Sequence, residues 1–121
     1  MKIACWNVNS VRVRLPHVLN WLRDTAADIL LLQELKCLDD AFPAEPFEDM
    51  GYNVAIWGQK TYNGVGILSK YPMDDVTRGF AQMPHPDEAR YIGTFTGGVH
   101  VASVYVPNGS ELGSPKFAYK M

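Results

Sequence analysis

The chain has 121 residues, of which 47% are hydrophobic and 20% charged, an ordinary globular composition with room for one domain. Its longest unbroken apolar runs, residues 29–32 among them, fall far short of the ~20 residues of a membrane span, and residues 1–3 enter strand-like sequence without a signal-peptide pattern, so the cytoplasm is the expected address and no membrane partner is expected. The net charge of -2 excludes a global attraction to nucleic acid and leaves only a local patch for such contacts.

In chain order, residues 2–6 read as a short buried strand, and Asn7-Val8-Asn9-Ser10 after it has turn chemistry. Leu15, Val18, Leu19 and Leu22 recur at helical spacing with Asn20, Arg23 and Asp24 off the stripe, which predicts an amphipathic helix. Residues 29–32 form a second buried strand ending in the polar pair Gln33-Glu34. Residues 42–50 predict a short helix stopped by Gly51, and 52–57 a third strand. Further strands are predicted at 66–69, 76–80, 91–96 and 99–106, with Asn63-Gly64 and Gly97-Gly98 as punctuation between paired strands. Residues 115–121 read as the opening of a helix, which suggests a truncated chain. Cys5 and Cys37 have no Cys-x-x-Cys spacing and make no disulfide framework; both are expected reduced, and buried or inert.

Glu34 is the first chemical candidate. A carboxylate just after a buried strand is held rigidly at the end of a sheet, where α/β folds bind ligands, and a hard cation takes one or two such groups. Taken by itself it reads first as a solvated strand-end glutamate. Asn7 and Asn9 follow a strand in the same way and have the amides to orient a metal ligand or a phosphate, or simply to make a turn. Tyr105 and Asn108, around Pro107, are placed to donate to phosphate oxygens or to close a strand. His17, His85 and His100 show no ligand spacing. Arg12, Lys36 and Arg90 are among the basic residues near predicted strand ends, where folding can gather some of them.

Four ordered blocks decide among these readings. Residues 6–12 (WNVNSVR), 31–37 (LLQELKC), 62–70 (YNGVGILSK) and 104–109 (VYVPNG) closely resemble consecutive blocks of the exonuclease III and apurinic/apyrimidinic endonuclease family, and the likeness covers essentially the whole chain. The resemblance implies an α/β fold in which residues 1–121 are the amino-terminal half of a four-layer α/β sandwich, contributing one mixed, largely antiparallel sheet with helices on its outer face. It implies that Glu34 binds a divalent metal, Mg²⁺ or Mn²⁺, with Asn9 beside it. By the same likeness Asn7 and Tyr105 are catalytic, and Arg12, Lys36, Arg90 and Asn108 contact DNA. The implied substrates are abasic duplex and 3′ ends. The family's later Asp-x-Asn pair, further aspartate and closing Ser-Asp-His block do not occur, since the only aspartates after Tyr71 are Asp74, Asp75 and Asp87. The chain is therefore expected to carry the metal-side half of a site and, alone, to be inactive or very weak. A single sheet would also leave an apolar inner face bare, to be covered by a second copy or by a complementing carboxy-terminal half. The alternatives are another phosphodiesterase of the superfamily and a non-catalytic DNA-binding fragment.

Overall fold

A computed structural model describes residues 1–59, 63–79 and 89–105. In chain order these form β1 (Ile3–Asn7), α1 (Val11–Thr25), β2 (Ile29–Gln33), a 3-10 turn (Asp39–Ala41), α2 (Ala44–Asp49), β3 (Asn53–Trp57), β4 (Val65–Ser69), β5 (Met73–Arg78), β6 (Tyr91–Thr96) and β7 (Val99–Val104). The helix read at 115–121 lies outside the described residues.

The first sheet has the order β1-β2-β4-β3. β1 and β2 run parallel with Asn7 opposite Gln33, while β4 is antiparallel to both β2 and β3. β4 is buried along its entire length, so both of its faces need apolar cover. On one face lie the helices: Val11, Val18 and Leu22 of α1 and Phe47 of α2 pack with Leu30, Leu32 and Leu68. On the other, Ile29, Ala55, Val65 and Ile67 meet Ile92, with Leu31, Trp57, Met73 and Val101 around them.

That second core corrects the expectation of one sheet. The α/β class and sandwich layering hold, but β5-β6-β7 form a separate three-stranded sheet that packs across the inner face of the first. The chain turns over at Lys70–Pro72. Pro72 has no N–H with which to extend a ladder, and the carbonyls of Tyr71 and Pro72 are taken instead by Thr96 Oγ1 at 3.2 and 3.0 Å. Buried Ser69 and Thr96 then join the sheets through a 2.7 Å hydroxyl pair. Much of the apolar face expected to be bare is thus covered by the chain's own later strands.

Smaller differences have local causes. α1 begins at Val11, four residues before its first predicted apolar stripe position, because the Ser10 and Val11 amides bond to the Glu34 and Leu35 carbonyls and dock the helix start on the following loop. β5 begins at Met73 instead of 76, with an irregularity between Asp74 and Thr77 where Asp75 has φ 53°. Gly97-Gly98 form the tight β6–β7 turn with both φ positive, as I′ geometry needs. Asn63-Gly64, also with both φ positive, lie as expected between the paired strands β3 and β4, at the end of a longer connection over residues 58–64. Cys37 is buried as expected, whereas Cys5 is exposed, because β1 is an edge of its sheet among the described strands.

Candidate active site

Parallel pairing of β1 and β2 brings their carboxyl ends together, and the candidate residues gather there. Asn7, the last residue of β1, donates from Nδ2 to Glu34 Oε1 at 2.8 Å. Its Oδ1 accepts from the Asn9 backbone amide at 3.1 Å, so both ends of the side-chain amide are committed and its orientation is fixed. Lys36 closes the group: Nζ donates to Asn9 Oδ1 at 2.5 Å and lies 3.5 Å from Glu34 Oε2.

The backbone beneath is strained and tightly stitched. Asn9, Glu34, Lys36 and Asn63 have φ of 47°, 56°, 55° and 56°, left-handed conformations that cost a non-glycine residue about 1 kcal/mol each. They are held by Leu35 N–H to the Gly64 carbonyl and Lys36 N–H to the Asn63 carbonyl, both 3.1 Å, and by Gly64 N–H to Ala89 O at 2.8 Å. Gly64 has φ +92°, and a Cβ there would stand 2.9 Å from Leu35 Cβ, so the close approach of these loops requires glycine.

From the second sheet, Tyr105 follows β7 and donates its amide to the Arg90 carbonyl at 2.9 Å. Its ring packs against the inter-sheet core. Burial raises the phenol pKa above its ordinary value, and the charge of Glu34 and a hydrogen bond with it act in the same direction, against the opposing charge of Arg90. The phenol is therefore protonated at neutral pH, with an apolar body in the core and the charge of Glu34 acting on it.

Asn7, Asn9, Glu34, Lys36 and Tyr105 are thus brought together, with Arg90 alongside through Tyr105. Arg12 stands exposed on the first turn of α1, where its charge acts on the Cys37 thiol. Asn108 and His85 lie outside the described residues. His17 is exposed, and His100 is exposed and packs edge-on to Phe95 with ring centroids 4.9 Å apart.

Two supports escaped the sequence reading. Gln33 is 4% exposed and donates from Nε2 to Ser103 Oγ at 2.9 Å, and that hydroxyl donates to the Leu32 carbonyl at 2.5 Å. This link fixes the end of β2, which carries Glu34, to β7, which leads to Tyr105. Gln59 Oε1 accepts from Asn63 Nδ2 at 3.1 Å and from the Ala89 amide at 2.8 Å, tying the Asn63 loop to the segment before Arg90. The available signal was a polar residue closing an apolar run, as Gln33 closes 29–32.

Among the described residues no group of three or more His, Cys, Asp or Glu could hold a metal ion. The oxygens present nonetheless fit a hard cation. Glu34 Oε2 and Asn9 Oδ1, from different loops, already converge on one positive charge, the Lys36 ammonium, and a single carboxylate with an amide oxygen is the sparse protein set that Mg²⁺ completes with water and phosphate.

Comparison with known proteins gives the family and the fold. The Endonuclease/Exonuclease/phosphatase family matches residues 4–119. Exodeoxyribonuclease III of Haemophilus influenzae is 36% identical over 126 aligned positions, covering 99% of this chain and 47% of that protein. Among solved structures, a 3′ phosphatase, NExo, from Neisseria bound to a product DNA hairpin superposes with a TM-score of 0.87 at 50% identity, over 99% of this chain and 47% of that one. An AP endonuclease from Archaeoglobus fulgidus gives 0.85 at 41% identity, over 99% and 46%. The chain thus spans about half the length of these relatives. It belongs to the Endonuclease/Exonuclease/phosphatase family, among relatives of the exonuclease III and AP endonuclease type.

Proposed function

We propose that residues 1–121 are the amino-terminal, metal-side half of a DNA phosphodiesterase that incises beside abasic sites and processes 3′ ends in base excision repair, in the cytoplasm. The observation that carries this reading is the junction at Glu34, where the Asn7 amide and the Lys36 ammonium meet one carboxylate. Glu34 and Asn9 would hold Mg²⁺ or Mn²⁺. A divalent ion bound there would supply charge to polarise the phosphoryl oxygen and to stabilise the departing 3′ oxygen. In the net reaction water forms the new P–O bond, the P–O3′ bond breaks, and the proton of the water is taken up as the 3′ hydroxyl forms. Asn7 orients Glu34, and Tyr105 donates from its protonated phenol to a non-bridging phosphate oxygen. Arg12, Lys36, Arg90 and Asn108 would contact the DNA backbone, and local contacts of this kind suit a chain whose net charge is -2.

The aspartates and histidine that the family resemblance leads one to expect would come from a complementing carboxy-terminal half; a second copy of this chain would cover apolar surface but carries none of those blocks. An open cleft of about 370 Å³ between β1 and β7, lined by Ile3, Cys5, Leu31, Val99 and Val101, is the surface such a partner would fill. The test is incision of an abasic duplex by the chain alone and by the chain co-expressed with a relative's carboxy-terminal half, in Mg²⁺ and in EDTA, with an inositol phosphate as competing substrate. Metal-dependent incision by the complemented form only is the expected result. Preference for the inositol phosphate, or no turnover by the complemented form, would overturn the proposal.

A further inference from the structure

Lys36 enters from the sequence as a DNA contact, but its ammonium is bonded inside the site. Nζ lies 2.5 Å from Asn9 Oδ1 and 3.5 Å from Glu34 Oε2, the two oxygens assigned to a metal ion. The backbone enforces this. Glu34 and Lys36 both adopt left-handed φ, and Leu35 between them is fully buried, so the two charged side chains emerge together on the opposite side. The amide of Lys36 is anchored to the Asn63 carbonyl, which holds the base of the side chain in place. We infer that the Lys36 ammonium is the resident counter-ion of the metal position, and that a divalent ion enters by displacing it.

Two cations cannot share the same pair of oxygens at these distances without strong repulsion. The pair is also releasable: the two side chains are 32% and 19% exposed, so solvent screens the attraction and can receive the displaced ammonium. Once displaced, the four-carbon stem carries the charge to the mouth of the site, where a phosphate of bound DNA is its natural partner. Lys36 would then be a metal-site counter-ion and a DNA contact in succession, coupling metal loading to backbone binding. The inference rests on the assignment of Glu34 and Asn9 as metal ligands.

The experiment is Mn²⁺ binding to the chain, followed by electron paramagnetic resonance, for wild type, Lys36→Gln and Glu34→Gln. A companion measurement is mass-spectrometric acetylation of Lys36 with and without Mg²⁺. Lys2 and Lys70, whose ammonium groups donate to the Thr25 and Ala26 carbonyls, serve as internal references. Lys36→Gln should bind Mn²⁺ roughly two- to fivefold more tightly, the span expected for removing a screened pair, and Mg²⁺ should raise acetylation of Lys36 relative to the references. Equal or weaker Mn²⁺ binding by Lys36→Gln, no Mn²⁺ binding by any of the chains, or Lys36 acetylation indifferent to Mg²⁺ would overturn the displacement. Undiminished Mn²⁺ affinity in Glu34→Gln would instead overturn the assignment of the ligand itself, so the two failures are distinguishable.

Discussion

Asn7 and Glu34, 27 residues apart in sequence, meet through a 2.8 Å hydrogen bond because the parallel β1–β2 ladder ends both strands at the same level. Asn7→Ala should remove that bond and cost about 0.5–1.5 kcal/mol. Asn7→Asp should cost more, since it faces one carboxylate with another. Urea denaturation with an unchanged slope is the check, and an aspartate variant more stable than the alanine variant would contradict the assigned geometry.

Ser103→Ala tests the inter-sheet link. It leaves Gln33 Nε2 and the Leu32 carbonyl without their bonds to a hydroxyl that is 1% exposed, and should destabilise by about 1–3 kcal/mol. Thermal unfolding should show a fall of several degrees, and an unchanged midpoint would mean that the two sheets are not fastened there.

These links also mark how far the sequence could be read. Residues 29–32 announce a buried strand because they are apolar, short and closed by polar residues, and the Gly97-Gly98 pair announces its hairpin because both residues must take positive φ. Glu34 and Asn7 were legible as candidates through the ordered blocks. The division into two sheets was not, because it depends on pairs such as Gln33 and Ser103, 70 residues apart, and on Pro72 turning the chain across a face instead of along an edge. The inward placement of Lys36 was equally hidden, since a lysine at the end of a strand has the same sequence signature whether it meets water, DNA or a neighbouring carboxylate.

Tyr52 supplies a pH prediction. It is 3% exposed, its hydroxyl donates to the Ala27 carbonyl at 2.5 Å, and burial first, then the charge of Asp28, raises its pKa above the ordinary 10.0. A group whose folded pKa is raised holds its proton more tightly when folded, so its contribution is complete below the unfolded pKa and is lost as pH rises beyond it. Stability should therefore be insensitive to this residue below pH ~10 and decline above it. Tyr52→Phe should flatten that alkaline decline while costing about 1 kcal/mol at neutral pH, as read from unfolding midpoints across the pH range.

Tyr105→Phe separates a phenol that acts on phosphate from one that only packs. The ring keeps its place in the inter-sheet core, so the melting temperature should change little. Turnover of the complemented enzyme should fall by about tenfold or more through loss of the donor. A large drop in melting temperature with normal turnover would assign the residue to the core alone.

The most direct test of the account is the Mg²⁺ dependence of abasic-duplex incision by the chain complemented with a carboxy-terminal half, compared with its Glu34→Gln form. The substitution keeps size and much of the hydrogen bonding while removing the negative charge that would hold the ion. The account predicts that Glu34→Gln needs markedly more Mg²⁺ for half-maximal rate and is slower by roughly 100-fold or more at saturation, the loss of several kcal/mol of transition-state charge stabilisation. The same rate and the same Mg²⁺ requirement in both forms would contradict it.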